Sequence, residues 1–166
     1  MTFKEKYGDH SSEIYDENLD ISREKLNSLE GCYKEIKGNL NCSYNDLKTL
    51  EDGPKTVSGN FWCSNNSLTS LKGSPKIVKG SFNCSNNILI SLEGAPKTVK
   101  GNFICTDNPK LKSLDAILGI EIKGEIIFDI MSDKEFKEEQ KLFIKVGKNL
   151  SKFKKLKKLL QATKTS

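Results

Sequence analysis

The chain is expected to fold as a repeat solenoid in which each coil lays down one short parallel strand. Three observations predict this. Cys42, Cys63, Cys84 and Cys105 recur at intervals of 21 residues. Each cysteine sits two residues after a large apolar side chain, as in Leu40/Cys42, Phe61/Cys63, Phe82/Cys84 and Phe103/Cys105. That alternation is a strand signature, because successive strand side chains point to opposite faces. Between the pairs the chain repeats a Leu-x-x-Leu-x-x-x-Pro return, as from Leu68 to Pro75. A period this short requires stacking, since one supersecondary unit buries its apolar side only against its neighbours.

Taken in order, residues 1–16 are expected to be an N-terminal cap or a flexible segment. Residues 17–130 hold the solenoid, about six rungs of which four are regular. A degenerate rung carries Leu19 and Ile21, and another carries Ile126 and Phe128. Asn45, Asn66, Asn87 and Asn108 follow each cysteine by three residues. An inward amide there can bond the backbone of adjacent coils and satisfy groups the turn leaves bare. Leu47, Leu68, Leu89 and Leu111 close the inner layer, and Leu50, Leu71, Leu92 and Leu114 begin the return. Pro54, Pro75 and Pro96 stiffen it, and Gly59, Gly80 and Gly101 mark a tight bend before the next strand. The return side is expected to be extended or 3₁₀-like. Residues 131–166 read as a basic helical segment: Ser132 and Glu135 have capping-box spacing. Phe136, Leu142, Phe143, Val146, Leu150, Phe153, Leu156 and Leu160 then recur at roughly helical intervals.

Hydrophobic residues make up 36% of the 166 and charged residues 30%, a balance that suits a thin solenoid with much surface. The net charge of +5 is uneven. Residues 131–166 hold 11 lysines against 4 acids, whereas 26–130 hold 12 basic and 11 acidic residues. On sequence, any polyanion site therefore belongs to the C-terminal segment. No run is long and apolar enough for a transmembrane helix, and the first ten residues contain no signal-peptide core. A cytoplasmic protein with reduced thiols is expected. Cys32, outside the 21-residue spacing, leaves an odd total, which argues against a disulfide framework.

The spacing of Phe61, Cys63, Asn66 and Leu68, and of their equivalents, resembles the core of the leucine-rich repeat, in the short bacterial type. The wording Ser91-Leu92-Glu93-Gly94-Ala95-Pro96-Lys97, followed by Gly101-Asn102-Phe103-x-Cys105, resembles small repeat proteins encoded by large tailed bacteriophages. The resemblance implies a leucine-rich-repeat solenoid with its short parallel sheet on a concave face, acting in the host cytoplasm.

Chemistry finds little support. Zinc takes close cysteine pairs in a tetrahedral set, whereas a column of parallel thiols is linear, and buried cysteine behaves as a small hydrophobe. Cys105-Thr106-Asp107 resembles the Cys-x-Asp motif of bacterial secreted ubiquitin ligases that also carry short leucine-rich repeats. In that family the motif lies in a separate helical domain; here the cysteine is a rung position and Thr106 replaces the usual serine. His10 is the single histidine, with no nucleophile–base arrangement to join. The glycines form no phosphate loop. No catalytic residue, metal or cofactor is expected.

Two surfaces remain. Strand residues pointing away from the core form a concave face rich in amides and hydroxyls. Trp62 stands near its middle, with Tyr44, Asn41, Asn60, Asn83, Asn86, Ile104 and Asp107 around it. An aromatic anchor among adaptable polar groups is a common binding composition, although serine and asparagine columns also simply solvate an open sheet. Trp62 interrupts a column in which Asn41 and Asn83 flank it, which favours a role in binding a protein partner; the bacteriophage resemblance implies that this partner belongs to the host or to a viral assembly. The alternative surface is Lys148, Lys152, Lys154, Lys155, Lys157 and Lys158, for nucleic acid or ribonucleoprotein, on a helix that also caps the last rung. A structural part of a larger assembly is a third reading. The partner and the oligomeric state stay open.

Overall fold

The structure, a computed structural model, describes residues 1–129; the expected C-terminal helical cap and Lys148 to Lys158 lie outside the described residues. The described chain winds into a parallel β-solenoid of about five turns. Its strands are two residues each: β1 Ile14–Tyr15, β2 Leu19–Asp20, β3 Glu35–Ile36, β4 Leu40–Asn41, β5 Thr56–Val57, β6 Phe61–Trp62, β7 Ile77–Val78, β8 Phe82–Asn83, β9 Thr98–Val99, β10 Phe103–Ile104, β11 Glu121–Ile122 and β12 Ile126–Ile127. The even strands form one six-stranded parallel sheet, here the Phe sheet, and the odd strands a second, the Val sheet. Register is one coil per 21 residues through β10, as in Phe61↔Phe82↔Phe103 and Thr56↔Ile77↔Thr98. The last step is 23 residues, Phe103↔Ile126. The two extra residues accompany a 3₁₀ turn, η1, at Asp115–Gly119.

The return is extended at these strands, as expected, but it also pairs coil to coil into a second sheet, which was not expected. Its cause lies in the Pro-Lys-Thr-Val stretch. Proline sets an extended backbone, and Thr56-Val57, Ile77-Val78 and Thr98-Val99 are β-branched pairs suited to a pleated surface. Parallel pairing with the coils on either side then uses backbone groups a lone return would leave bare. Ile36, Val57, Val78 and Val99 point inward and are fully buried. They share one core with Leu40, Phe61, Phe82 and Phe103 of the Phe sheet and with both leucine columns. The phenyl rings stack coil on coil at centroid spacings of 5.5 and 5.3 Å, within the range aromatic pairs prefer.

Corners are tight. A Cβ on Gly80 would lie 2.7 Å from the carbonyl carbon of Gly59 beneath it, so this corner column has no room for a side chain. A second corner holds Gly31, Asp52, Gly73 and Gly94 at positive φ. A third column of small residues, Cys32, Gly53, Ser74 and Ala95, follows that corner, each N–H donating to the leucine carbonyl three residues earlier. Cys32 is thus not a misplaced member of the cysteine ladder but the first member of this column.

Residues 1–13 close the first coil. Thr2 and Glu5 form a capping box for α1, Phe3–Tyr7. The Phe3 and Lys4 amides donate to the carbonyls of Ser28 and Glu30, as the Leu50 amide of one coil donates to Lys72 of the next. Phe3 is buried, and His10 stacks on Tyr33 at 4.7 Å. Glu13 and the Tyr7 carbonyl hold the His10 pKa above its ordinary value. The segment therefore supplies to the first coil the hydrogen bonds that a preceding coil would otherwise make, and the first solenoid strand, β1, falls at 14–15.

Candidate functional site

The outer face of the Phe sheet is assembled from columns that the sequence spaces one coil apart. Behind it lies an interlocked polar ladder. The Asn87 amide donates to the carbonyls of Cys63 and Cys84, each at 3.1 Å, and its Oδ1 accepts the Leu68 N–H at 3.0 Å. Asn66 and Asn108 do the same one coil either side, so each of the carbonyls of Cys63 and Cys84 receives two successive amides. The thiols of Cys42, Cys63 and Cys84 donate to the carbonyls of Trp62, Asn83 and Ile104, each at 3.4 Å. These are structural roles. Burial pushes the Cys63 and Cys84 thiols far up and Cys105 to about 12, the opposite of the lowered pKa that makes a cysteine nucleophilic.

On the face itself, several of the expected binding residues have their polar atoms engaged. The Asn60 Oδ1 accepts the Ser81 N–H at 2.7 Å, continuing a column in which Asn39 does the same for Asn60. Asn41 accepts from the Ser43 N–H and donates to Asp20, while Asn83 accepts from the Ser85 N–H. The Ser22 backbone and hydroxyl, and then the Asn41 amide, hold the Asp20 carboxyl below its ordinary range. Hydroxyls pair between coils as well, Ser64 to Ser43 and Thr106 to Ser85. The Asp107 N–H donates to the Asp129 carboxylate.

Trp62 and Ile104 differ. They share the outward column Asp20, Asn41, Trp62, Asn83, Ile104, Ile127, in strand register throughout, and each is partly exposed. Tyr44 and Asn86 belong to the next corner column, Arg23, Tyr44, Asn65, Asn86 and Asp107, all with φ between 53 and 61°. Asparagine and aspartate adopt this left-handed conformation readily, but an aromatic or long side chain there is strained. Tyr44 is half exposed, and the Arg23 guanidinium lies 4.2 Å over its ring. Arg23 and Ile127 were not foreseen as part of this face. The signal was available for both: Arg23 precedes Tyr44 by one repeat, and Ile127 lies between Ile126 and Phe128 of the degenerate last rung.

Elsewhere, a shallow hollow beside the N-terminal segment is lined by Lys4, Asp9, Glu30, Cys32 and Lys34 among others. Its thiol, Cys32, is pushed up to about 12 by burial. Among the described residues no three His, Cys, Asp or Glu side chains converge as metal ligands. No helix among them is long and apolar enough to cross a membrane.

No family model matches the chain, and no curated protein or solved structure matches it either.

Proposed function

We propose that the chain is a non-enzymatic, leucine-rich-repeat-type module that binds a protein through the outer face of the Phe sheet, used as the concave face of the solenoid. The observation that carries this reading is the apolar interruption of a polar lattice. Most amides and hydroxyls of this face are bonded within the sheet, whereas Trp62, Ile104 and Ile127 share one outward column and Tyr44 stands at its corner in a strained conformation. Strained and unspent groups of this kind concentrate at functional sites, and buried tryptophan is a frequent energetic anchor in interfaces. Under this reading the leucine columns and the asparagine ladder are the scaffold, and the C-terminal segment is a helical cap. The resemblance to bacteriophage repeat proteins extends the proposal to a host protein or a viral assembly component, met in the host cytoplasm.

The test is affinity capture from host lysate with the full chain and with Trp62→Ala, at low and high salt. The reading expects a salt-resistant protein partner that Trp62→Ala loses while its circular dichroism spectrum is unchanged. A partner retained by Trp62→Ala, or released by salt alone, would overturn it.

A further inference from the structure

The sequence places the basic charge of this protein at residues 131–166 and leaves the repeats close to neutral. Within the repeats one stretch is basic, and folding stacks its lysines on the Val-sheet face, where Glu35 and Glu121 end the outward column of Thr56, Ile77 and Thr98. Between residues 55 and 100 there are six lysines and one carboxylate, Glu93. Glu93 pairs with Lys72 at 3.4 Å, away from the Val-sheet strands. The other five, Lys55, Lys76, Lys79, Lys97 and Lys100, flank β5, β7 and β9, and all are exposed. Among the described residues none of the five takes part in an ion pair.

Register makes them columns. Thr56, Ile77 and Thr98 are paired in line, so Lys55, Lys76 and Lys97 stack on one side of them and Lys79 and Lys100 on the other. Cα atoms repeat about 4.8 Å apart along the stack. Across a strand, three residues at about 3.3 Å each separate the two columns by about 10 Å. Like charges directly opposite one another on a sheet destabilise it, and this face repeats that arrangement over three coils.

We propose that this face of the Val sheet is a second binding surface, for the phosphate backbone of duplex nucleic acid. Charge density selects this polyanion. Two rows of cations about 4.8 Å apart supply one charge per about 2.4 Å, of the same order as the one phosphate per ≈ 1.7 Å of axis that a duplex carries. A lipid surface calls for apolar side chains to enter the headgroup layer, and between the rows the face offers Ile77 flanked by two threonines. A single strand calls for aromatic platforms, yet Phe61, Trp62 and Phe82, the aromatic residues between positions 55 and 100, all lie on the Phe sheet. Without arginine on the face there is no bidentate fork to read a base edge. Binding is therefore independent of sequence and driven by counterion release.

The experiment is fluorescence anisotropy of a short mixed-sequence DNA duplex with the full chain, titrated from about 50 to about 200 mM salt. The variants are Lys76→Gln/Lys79→Gln/Lys97→Gln/Lys100→Gln on the Val sheet, Lys152→Gln/Lys155→Gln/Lys158→Gln at the C-terminal segment, and Trp62→Ala. Wild type is expected to bind in the micromolar range at the low-salt end. The Val-sheet variant is expected to lose at least about tenfold, and the slope of log Kobs against log salt is expected to fall by roughly 3.6, near 0.9 for each of the four phosphate contacts removed. Trp62→Ala is expected to bind as wild type, so failure here is separable from failure of the protein-binding reading. The proposal is overturned by absence of binding at low salt. It is equally overturned if the Val-sheet variant keeps wild-type affinity and slope while the C-terminal variant loses both, or if phosphatidylserine vesicles bind more tightly than the duplex at equal salt.

Discussion

On the Phe sheet most outward polar groups are bonded to the next coil or to each other: Asn60 to Ser81, Asn41 to Asp20, Ser64 to Ser43. On the Val sheet the outward lysines of three successive coils make no ion pair among the described residues. Both sheets come from one repeat and bury equally tight inner columns, so the difference is not one of fold. It lies in what the outward residues can do for each other. Amides and hydroxyls carry both donors and acceptors, and a column of them satisfies itself when stacked. Lysine carries donors only, and a stacked column of it repels. A repeat can therefore spend its amide columns on cohesion but not its lysine columns.

The largest effect should come from the ladder on which both faces depend. Asn87→Ala leaves the Leu68 N–H without its acceptor and takes one of two amides from the carbonyls of Cys63 and Cys84. One buried group left unsatisfied costs about 1–3 kcal/mol, and each of the two bonds lost to carbonyls that keep a second amide about 0.5–1.5 kcal/mol, so the total should be of the order of 3 kcal/mol, measured by urea denaturation.

A smaller effect, of opposite sign, should appear where the Phe-sheet face breaks its own rule. Tyr44 holds φ 57° in a column where Asn65 and Asn86 hold 55° and 54°. Tyr44→Asn relieves left-handed strain of the order of 1–2 kcal/mol and forfeits a cation–π contact worth about 0.5–1 kcal/mol. A net gain in stability of up to about 1 kcal/mol is expected in the same denaturation experiment, together with weaker partner capture. A loss of stability would mean that the Arg23–Tyr44 pair is cohesive rather than strained.

The smallest effect should lie on the lysine face. Lys79→Gln/Lys100→Gln is expected to raise stability by a few tenths of a kcal/mol through relief of like-charge stacking. The gain should vanish at about 1 M salt, where the screening length falls to about 3 Å. Unchanged or reduced stability at low salt would remove the electrostatic contrast between the two faces.

How much of this was legible in the sequence depends on whether the signal recurs in one coil or needs several. The Phe-x-Cys alternation and the inward asparagines repeat every 21 residues, and their roles follow from strand geometry and backbone satisfaction. The Val sheet was hidden because two residues, Thr56 and Val57, make a strand only when the next coil supplies Ile77 and Val78 in register. The lysines of residues 55–100 were legible as a run, but the sum over 26–130 offset them with acids such as Asp46, Glu51 and Asp115 on either side of it, and their stacking into two columns needs the register of three coils. Trp62 and Tyr44 were visible as breaks in their columns. The strain at Tyr44 was not, because φ is not written in residue type. The closure of the first coil by residues 1–13 rests on backbone donors and one buried ring, Phe3, and neither carries a periodic signal.

The most direct measurement compares Asn87→Ala with Trp62→Asn by urea denaturation followed by circular dichroism. Trp62→Asn restores the residue type of Asn41 and Asn83 on either side. The division between a ladder that holds the coils and a face that is free to bind predicts a loss of about 3 kcal/mol for Asn87→Ala, and a change within about 1 kcal/mol for Trp62→Asn. Equal losses, or a larger loss at Trp62, would contradict it by making the tryptophan part of what holds the solenoid together.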